Sequence, residues 1–200
     1  MKSLLRALSL SVLIASTASA QLFDNSLGET LIRRSGGFTI GQAVTTTQNH
    51  TLGRFGFYGN SLTGGSFKFF IFDGSNTNLL YSGIRTIAAS TTQGLEMSDP
   101  FSLSLAAGTT YNLGILGDVN TTFDFYISNP QIITTQNGIT NNSGNLNYGN
   151  FANPAYVGPG FISTSIRLEG PVNVVPEPST YALMGAGLLG LGFVAKRRKA

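Results

Sequence analysis

The sequence predicts an all-β fold: a single antiparallel β-sandwich, jelly-roll-like, over residues 21–169, flanked by two terminal segments of different character. Three observations carry this. Apolar and polar residues alternate with period two at Phe101-Ser102-Leu103-Ser104-Leu105 and from Ile162 to Leu168, the pattern of a strand with one buried face. Similar short stretches recur roughly every 8–15 residues, separated by Gly, Asn, Ser and Thr turns. No segment between the termini has helical periodicity, and a parallel sheet would need intervening helices.

Taken in order, the chain opens with a leader. Lys2 and Arg6 form a positive region, Ala7 to Ala15 an apolar one, and Ala18-Ser19-Ala20 a small-residue site that predicts cleavage before Gln21. Strands are then expected near Phe38 to Val44, Thr51 to Tyr58, Ser66 to Asp73, Asn78 to Ser82, Phe101 to Leu105, Thr110 to Gly117, Phe123 to Ser128 and Ile162 to Leu168. The Asn- and Gly-rich stretch from Gln136 to Pro159, with Asn137-Gly138 and Asn141-Asn142-Ser143-Gly144, reads as a long loop. A linker over residues 170–178 ends in Val175-Pro176-Glu177-Pro178, where two prolines fix φ and remove two backbone donors, so an extended tether is expected.

Residues 179–195 contain no charge and predict a single transmembrane helix. At 1.5 Å per residue they reach about 26 Å, the short end of what crosses a hydrocarbon core of about 30 Å. The cations Lys196, Arg197, Arg198 and Lys199 follow in the tail over residues 196–200 and oppose translocation, which places the C-terminus in the cytoplasm and the preceding domain outside. Leader and stop together predict an exported passenger.

The order of Pro-Glu-Pro box, short glycine-rich apolar helix and basic cluster resembles the PEP-CTERM sorting signal of bacteria. The resemblance implies that Val175, Pro176, Glu177 and Pro178 form the recognition motif and Lys196 to Lys199 the membrane stop. It also implies that a membrane-embedded cysteine protease, exosortase, cuts at or near the box on the periplasmic face. The protein would then be held at the inner membrane with its domain in the periplasm, and afterwards reach the cell surface or the exopolysaccharide matrix. Signal peptidase and the general secretion machinery are the other partners expected. Within the domain, Leu52 to Tyr58, Lys68 to Asp73 and Ala106-Ala107-Gly108-Thr109-Thr110-Tyr111 resemble the jelly-roll modules of secreted bacterial proteins, which implies architecture and no particular ligand.

Composition reads differently once these ends are set aside. The whole chain carries +3, but residues 21–175 hold six basic residues against eight acidic ones. The passenger is mildly acidic, without the basic stripe that a nucleic-acid partner requires. With no cysteine, an exported domain must rely on its core without disulfides.

Candidates for chemistry are sparse. His50 is the only histidine, so a metal site or a Ser-His-Asp triad would rest on it alone, and a surface turn is the expected setting. The segments Asp73 to Asn78 and Asp118 to Asp124 offer oxygen ligands suited to calcium but lack EF-hand spacing; hairpin turns are expected, and no metal or cofactor is assigned. Glu96 and Asp99 are close in sequence and read as a loop before Pro100. Tyr58 and Tyr126 are the candidate ligand contacts, as aromatic rings on which sugars stack. Thr pairs beginning at Thr91, Thr109, Thr121 and Thr134 are spaced 18, 12 and 13 residues apart, too irregular for an ice-binding solenoid. The expectation is a non-enzymatic surface or matrix protein associated with exopolysaccharide; the alternative is a lectin-like carbohydrate-binding module or a glycan-active hydrolase.

Overall fold

The computed structural model describes residues 17–26, 30–148, 150–154 and 162–174. The chain divides into two compact units, and Ser19–Pro171 is the one described almost throughout. The expected apolar leader, the Pro-Glu-Pro box, the transmembrane helix and the basic cluster lie outside the described residues.

The described residues contain strands and no helix. In chain order the strands are β1 (Thr17–Asp24), β2 (Thr30–Ser35), β3 (Phe38–Thr46), β4 (His50–Leu52), β5 (Arg54–Ser61), β6 (Gly65–Asp73), β7 (Leu79–Ile87) and β8 (Gly94–Met97). They continue as β9 (Leu103–Leu105), β10 (Thr110–Gly117), β11 (Thr122–Ser128), β12 (Thr135–Gln136), β13 (Ile139–Tyr148), β14 (Ser163–Thr164) and β15 (Ile166–Val174). One sheet runs β1-β15-β5-β11-β14, with β2 added on β11 and β8 on β5; the second runs β12-β13-β3-β10-β6-β7. A short pair, β4 with β9, stands apart. Every strand register assigned residue by residue is antiparallel.

Period two explains how the core is built. On β6 the odd residues Phe67, Phe69 and Ile71 meet Tyr111, Leu113 and Ile115 of β10, and these join Phe55, Phe57, Phe123, Phe125, Ile166 and Leu168 of the first sheet in one buried cluster. Both sheets therefore share a core, and Leu52 and Leu105 bring the small β4–β9 pair into it. Phe55 is the aromatic hub, with edge contacts to Phe57, Phe69, Tyr81 and Phe101 at centroid distances of 5.6–6.2 Å. Such edge-to-face packing adds to simple area burial.

The even residues of β6 build a second, smaller core on the outer face of the second sheet. Phe70, Phe72 and Leu116 are buried there beneath Phe151. The Lys68 Nζ donates to the Ala152 carbonyl at 3.2 Å and sits 5.1 Å from the Phe151 ring centroid, so a segment after β13 is strapped across the sheet.

The main departure from expectation is β13. Residues 139–148, read as loop, are a ten-residue strand along β3, with a register shift between Asn141 and Gly144. Its polarity hides it from hydropathy: Asn141 is fully buried, and its side chain donates to the Ile132 carbonyl at 2.8 Å and accepts from Thr134 N–H. The turn before it was legible, because Asn137 and Gly138 both have positive φ, 49° and 72°, as a two-residue hairpin turn of the Asn-Gly kind requires.

Candidate functional site

The outer face of the first sheet gathers a cluster of charged side chains, Asp24, Arg33, Asp124, Arg167 and Glu169. On β5 the inward residues are Phe55 and Phe57, so Tyr58 and Asn60 point outward; on β15 the same alternation turns Arg167 and Glu169 outward, with Ile166 and Leu168 in the core. Tyr58 is half-buried and donates its hydroxyl to Asp24 Oδ2 at 2.8 Å. Burial foremost, then the Asp24 carboxylate, raises the Tyr58 hydroxyl above its ordinary pKa. Arg167 Nη1 stands 3.9 Å from the same Asp24 oxygen. Its Nε lies 2.9 Å from Glu169 Oε1, close enough for charge pairing without the alignment of a hydrogen bond. Glu169 also accepts from Ser19 Oγ at 2.6 Å. Along β11, Asp124 is buried and takes a two-pronged pair of 2.9 Å hydrogen bonds from Arg33.

These contacts decide what the face does chemically. Three of its carboxylates, Asp24, Asp124 and Glu169, are committed to named partners within the fold. Tyr126, the second expected ligand contact, is half-buried on the neighbouring strand. A cavity of about 20 Å³ lies between the sheets, lined mostly by core side chains such as Ile40, Phe57, Phe67, Ile115 and Phe125, with Tyr58, Asn60, Ser61, Glu96 and Asp124 on its polar side. That volume is about the size of one water molecule, far too small for a sugar ring.

The two acidic turns behave differently from each other. Asp73 accepts from Ser75 Oγ at 2.8 Å, Thr77 N–H at 3.1 Å and Asn78 Nδ2 at 2.6 Å. The Ser75 hydroxyl leads in lowering its pKa to about 2. Its lone pairs close the β6–β7 hairpin, and Asn76 takes a positive φ of 61° at the tip. Asp118 instead caps its own turn, accepting from Val119 N–H while its carbonyl accepts from Thr121 Oγ1 at 2.6 Å. No group of three or more His, Cys, Asp or Glu side chains suited to a metal occurs among the described residues.

His50 begins β4, and its Nε2 is buried without a hydrogen-bond partner. It lines, with Asn49, Thr51, Ser104, Leu105 and Ala106, an open concavity of about 410 Å³. A surface turn was the expected setting for His50; it instead begins a strand that pairs with Leu105, a long-range contact that local sequence does not record.

Against this background of structural polar contacts, the informative match lies elsewhere. Residues 174–199 match the family model of the PEP-CTERM protein-sorting motif. The tail is a PEP-CTERM signal. None of the curated proteins matches the chain. The PEP-CTERM motif implies processing by exosortase, and with it an exported substrate that is anchored in the membrane for sorting. The match begins at Val174, the last residue of β15, so the PEP-CTERM signal starts where the described strand ends.

Proposed function

We propose that this chain is a non-enzymatic protein of the cell surface or extracellular matrix, a β-sandwich of jelly-roll type delivered by its tail and lodged among exopolysaccharide. The observation that carries the proposal is the PEP-CTERM motif at residues 174–199, which addresses the domain to the sorting route. The polar chemistry of the first sheet supports the non-enzymatic part. Asp24, Asp124 and Glu169 each serve a structural partner, whereas glycoside hydrolysis needs a pair of carboxylates facing one sugar across about 5–10 Å. In this reading Tyr58 helps to hold β1, and the Asn, Ser and Thr turns supply many weak hydrogen bonds to a hydrated polysaccharide.

The test is fractionation of a bacterium that carries exosortase and expresses the full chain. The expected result is a shortened chain in the matrix, co-purifying with exopolysaccharide, and a full-length chain held in the membrane when Glu177 is replaced by Ala. Equal release of the E177A variant sinks the sorting reading; a shortened chain found free in the medium sinks the matrix reading.

A second reading, a specific carbohydrate-binding module, is favoured by the concavity beside His50, whose volume falls within the range of small-ligand sites. Binding to one glycan class that is lost on His50→Ala would select it over the first.

A further inference from the structure

Three Asn-x-Ser/Thr sequences, the acceptor pattern for N-glycosylation of exported proteins, occur in the chain: Asn49-His50-Thr51, Asn120-Thr121-Thr122 and Asn141-Asn142-Ser143. A chain rich in Asn and Thr produces such patterns by composition alone, so the fold must decide which asparagine an enzyme can reach. Asn141 is excluded. It is fully buried, its amide donates to the Ile132 carbonyl at 2.8 Å, and its side-chain oxygen accepts from Thr134 N–H. Asn49 is exposed, but its Oδ1 accepts from Ala107 N–H at 2.8 Å, and the two residues after it are paired with β9.

Asn120 differs in place. Between β10 and β11, Thr121 N–H donates to the Asp118 carbonyl at 2.9 Å and closes a β-turn over Asp118 to Thr121. Val119 and Asn120 are the two central residues of that turn, and both are exposed, Val119 at 71 %. The bonds that hold the turn lie in its stem. Thr121 Oγ1 donates to the Asp118 carbonyl at 2.6 Å, Thr122 N–H donates to Thr63 Oγ1 at 2.8 Å, and a Cβ on Gly36 would meet the backbone of Asp118 and Val119. The carboxamide of Asn120 takes part in none of these contacts.

Asp118 sets this sequence further apart. It stands two residues before Asn120 and caps the turn by accepting from Val119 N–H, so a carboxylate shares the turn with the acceptor amide. Thr47 and Ile139 occupy the corresponding places before Asn49 and Asn141. An enzyme that holds this turn can pair a cationic side chain with Asp118 and hydrogen-bond the Thr122 hydroxyl, which offers both a donor and an acceptor.

We propose that Asn120 is an N-glycosylation site, with Asp118 and Thr122 as the positioning residues by which a glycosyltransferase outside the cytoplasm holds the turn. The donor is an oligosaccharide carried on a lipid pyrophosphate. In the transfer, Asn120 Nδ2 forms a bond to the anomeric carbon of that sugar, and the bond from this carbon to the pyrophosphate oxygen breaks with its electron pair. One amide proton passes to the departing pyrophosphate. The products are an N-linked oligosaccharide and the free lipid pyrophosphate. The proposal rests on export, which the sorting tail implies, and is independent of lodging in exopolysaccharide.

The test expresses the full chain in a bacterium that carries an N-glycosylating transferase, beside a second exported acceptor as control, and locates modified residues by fragment mass spectrometry. The expected result is an oligosaccharide on Asn120 and none on Asn141, lost when the transferase gene is deleted. Thr122→Val abolishes it and Thr122→Ser restores it, because only the hydroxyl is needed. Asp118→Asn keeps an oxygen for Val119 N–H and so keeps the turn, yet lowers occupancy by about tenfold through the loss of one charge-assisted contact. An unmodified Asn120 in an exported chain, beside a modified control, overturns the proposal. So does unchanged occupancy in Thr122→Val, or a glycan on Asn141. A chain retained in the cytoplasm refutes export and the proposal with it, and cell fractionation tells that failure from the others.

Discussion

The ring of Phe70 lies across Gly114, so that a Cβ at position 114 would overlap the ring atoms. The two residues are opposite one another on β6 and β10, on the outer face of the second sheet, and Phe70 is fully buried because Gly114 leaves room for it. This small core holds the strap that carries Phe151.

Gly114→Ala is expected to destabilise the domain by about 1–3 kcal/mol through overpacking, and Phe70→Ala by about 3–5 kcal/mol through the cavity it leaves. The double variant should cost less than the sum, because the added methyl enters the vacated space. Urea unfolding of the four proteins checks this; additive costs would show that the two residues do not share one packing site.

The Arg33–Asp124 pair should be asymmetric. Asp124 is only 5 % exposed and Arg33 is 64 % exposed, so each partner left alone meets a different solvent. Arg33→Ala strands a buried carboxylate and is expected to cost about 1–3 kcal/mol, whereas Asp124→Asn leaves a hydrated guanidinium and a neutral amide and should cost less. Equal losses in thermal unfolding would count against this account.

Asp73 titrates low because its carboxylate is the acceptor for the hairpin donors, Ser75 foremost. Its folded pKa, about 2, lies below the ordinary value of 3.8. The contribution to hairpin stability is therefore present above about pH 4 and disappears as pH falls through 2. Carboxyl-carbon NMR should show a midpoint near 2 in the wild type. In Ser75→Ala the midpoint should move up toward the ordinary range; an unmoved midpoint would mean that Ser75 is not the leading cause.

Asn25 satisfies the backbone of two neighbours at once, accepting from Ile166 N–H and donating to the Thr164 carbonyl at 3.1 Å. Asn25→Ala leaves two buried backbone groups unpaired, with a cost of about 1–3 kcal/mol for each. Hydrogen exchange should quicken first at Ile166; unchanged protection there would contradict the assignment.

Where a short apolar and aromatic run is bounded by Gly, Asn and Thr turns, local pattern suffices. Thr110 to Gly117 was legible end to end, and Ser66 to Asp73 and Phe123 to Ser128 to within one residue of each strand start, although β6 and β10 are buried on both faces. β13 was not, because polar residues such as Asn141 are buried only by virtue of partners far along the chain, and a hydropathy pattern carries no record of those. The candidate ligand contact Tyr58 illustrates the same limit: its aromatic character was plain, but its engagement by Asp24 depends on β1 reaching the same face.

By itself, then, the sequence determined the all-β class, the main turns and the sorting tail, since each is written in contiguous residues: alternation, Asn-Gly and Gly-Thr-Thr punctuation, and a box beside an apolar run and four cations. Tertiary structure alone decided which carboxylates are occupied, which polar side chains are buried, and that the strand crossing the expected leader site lies beside the strand entering the sorting motif. The reason is physical: hydrogen bonds between strands join residues more than a hundred positions apart, Ser19 to Glu169 and Asn25 to Ile166, and their geometry exists only when the sheet has formed.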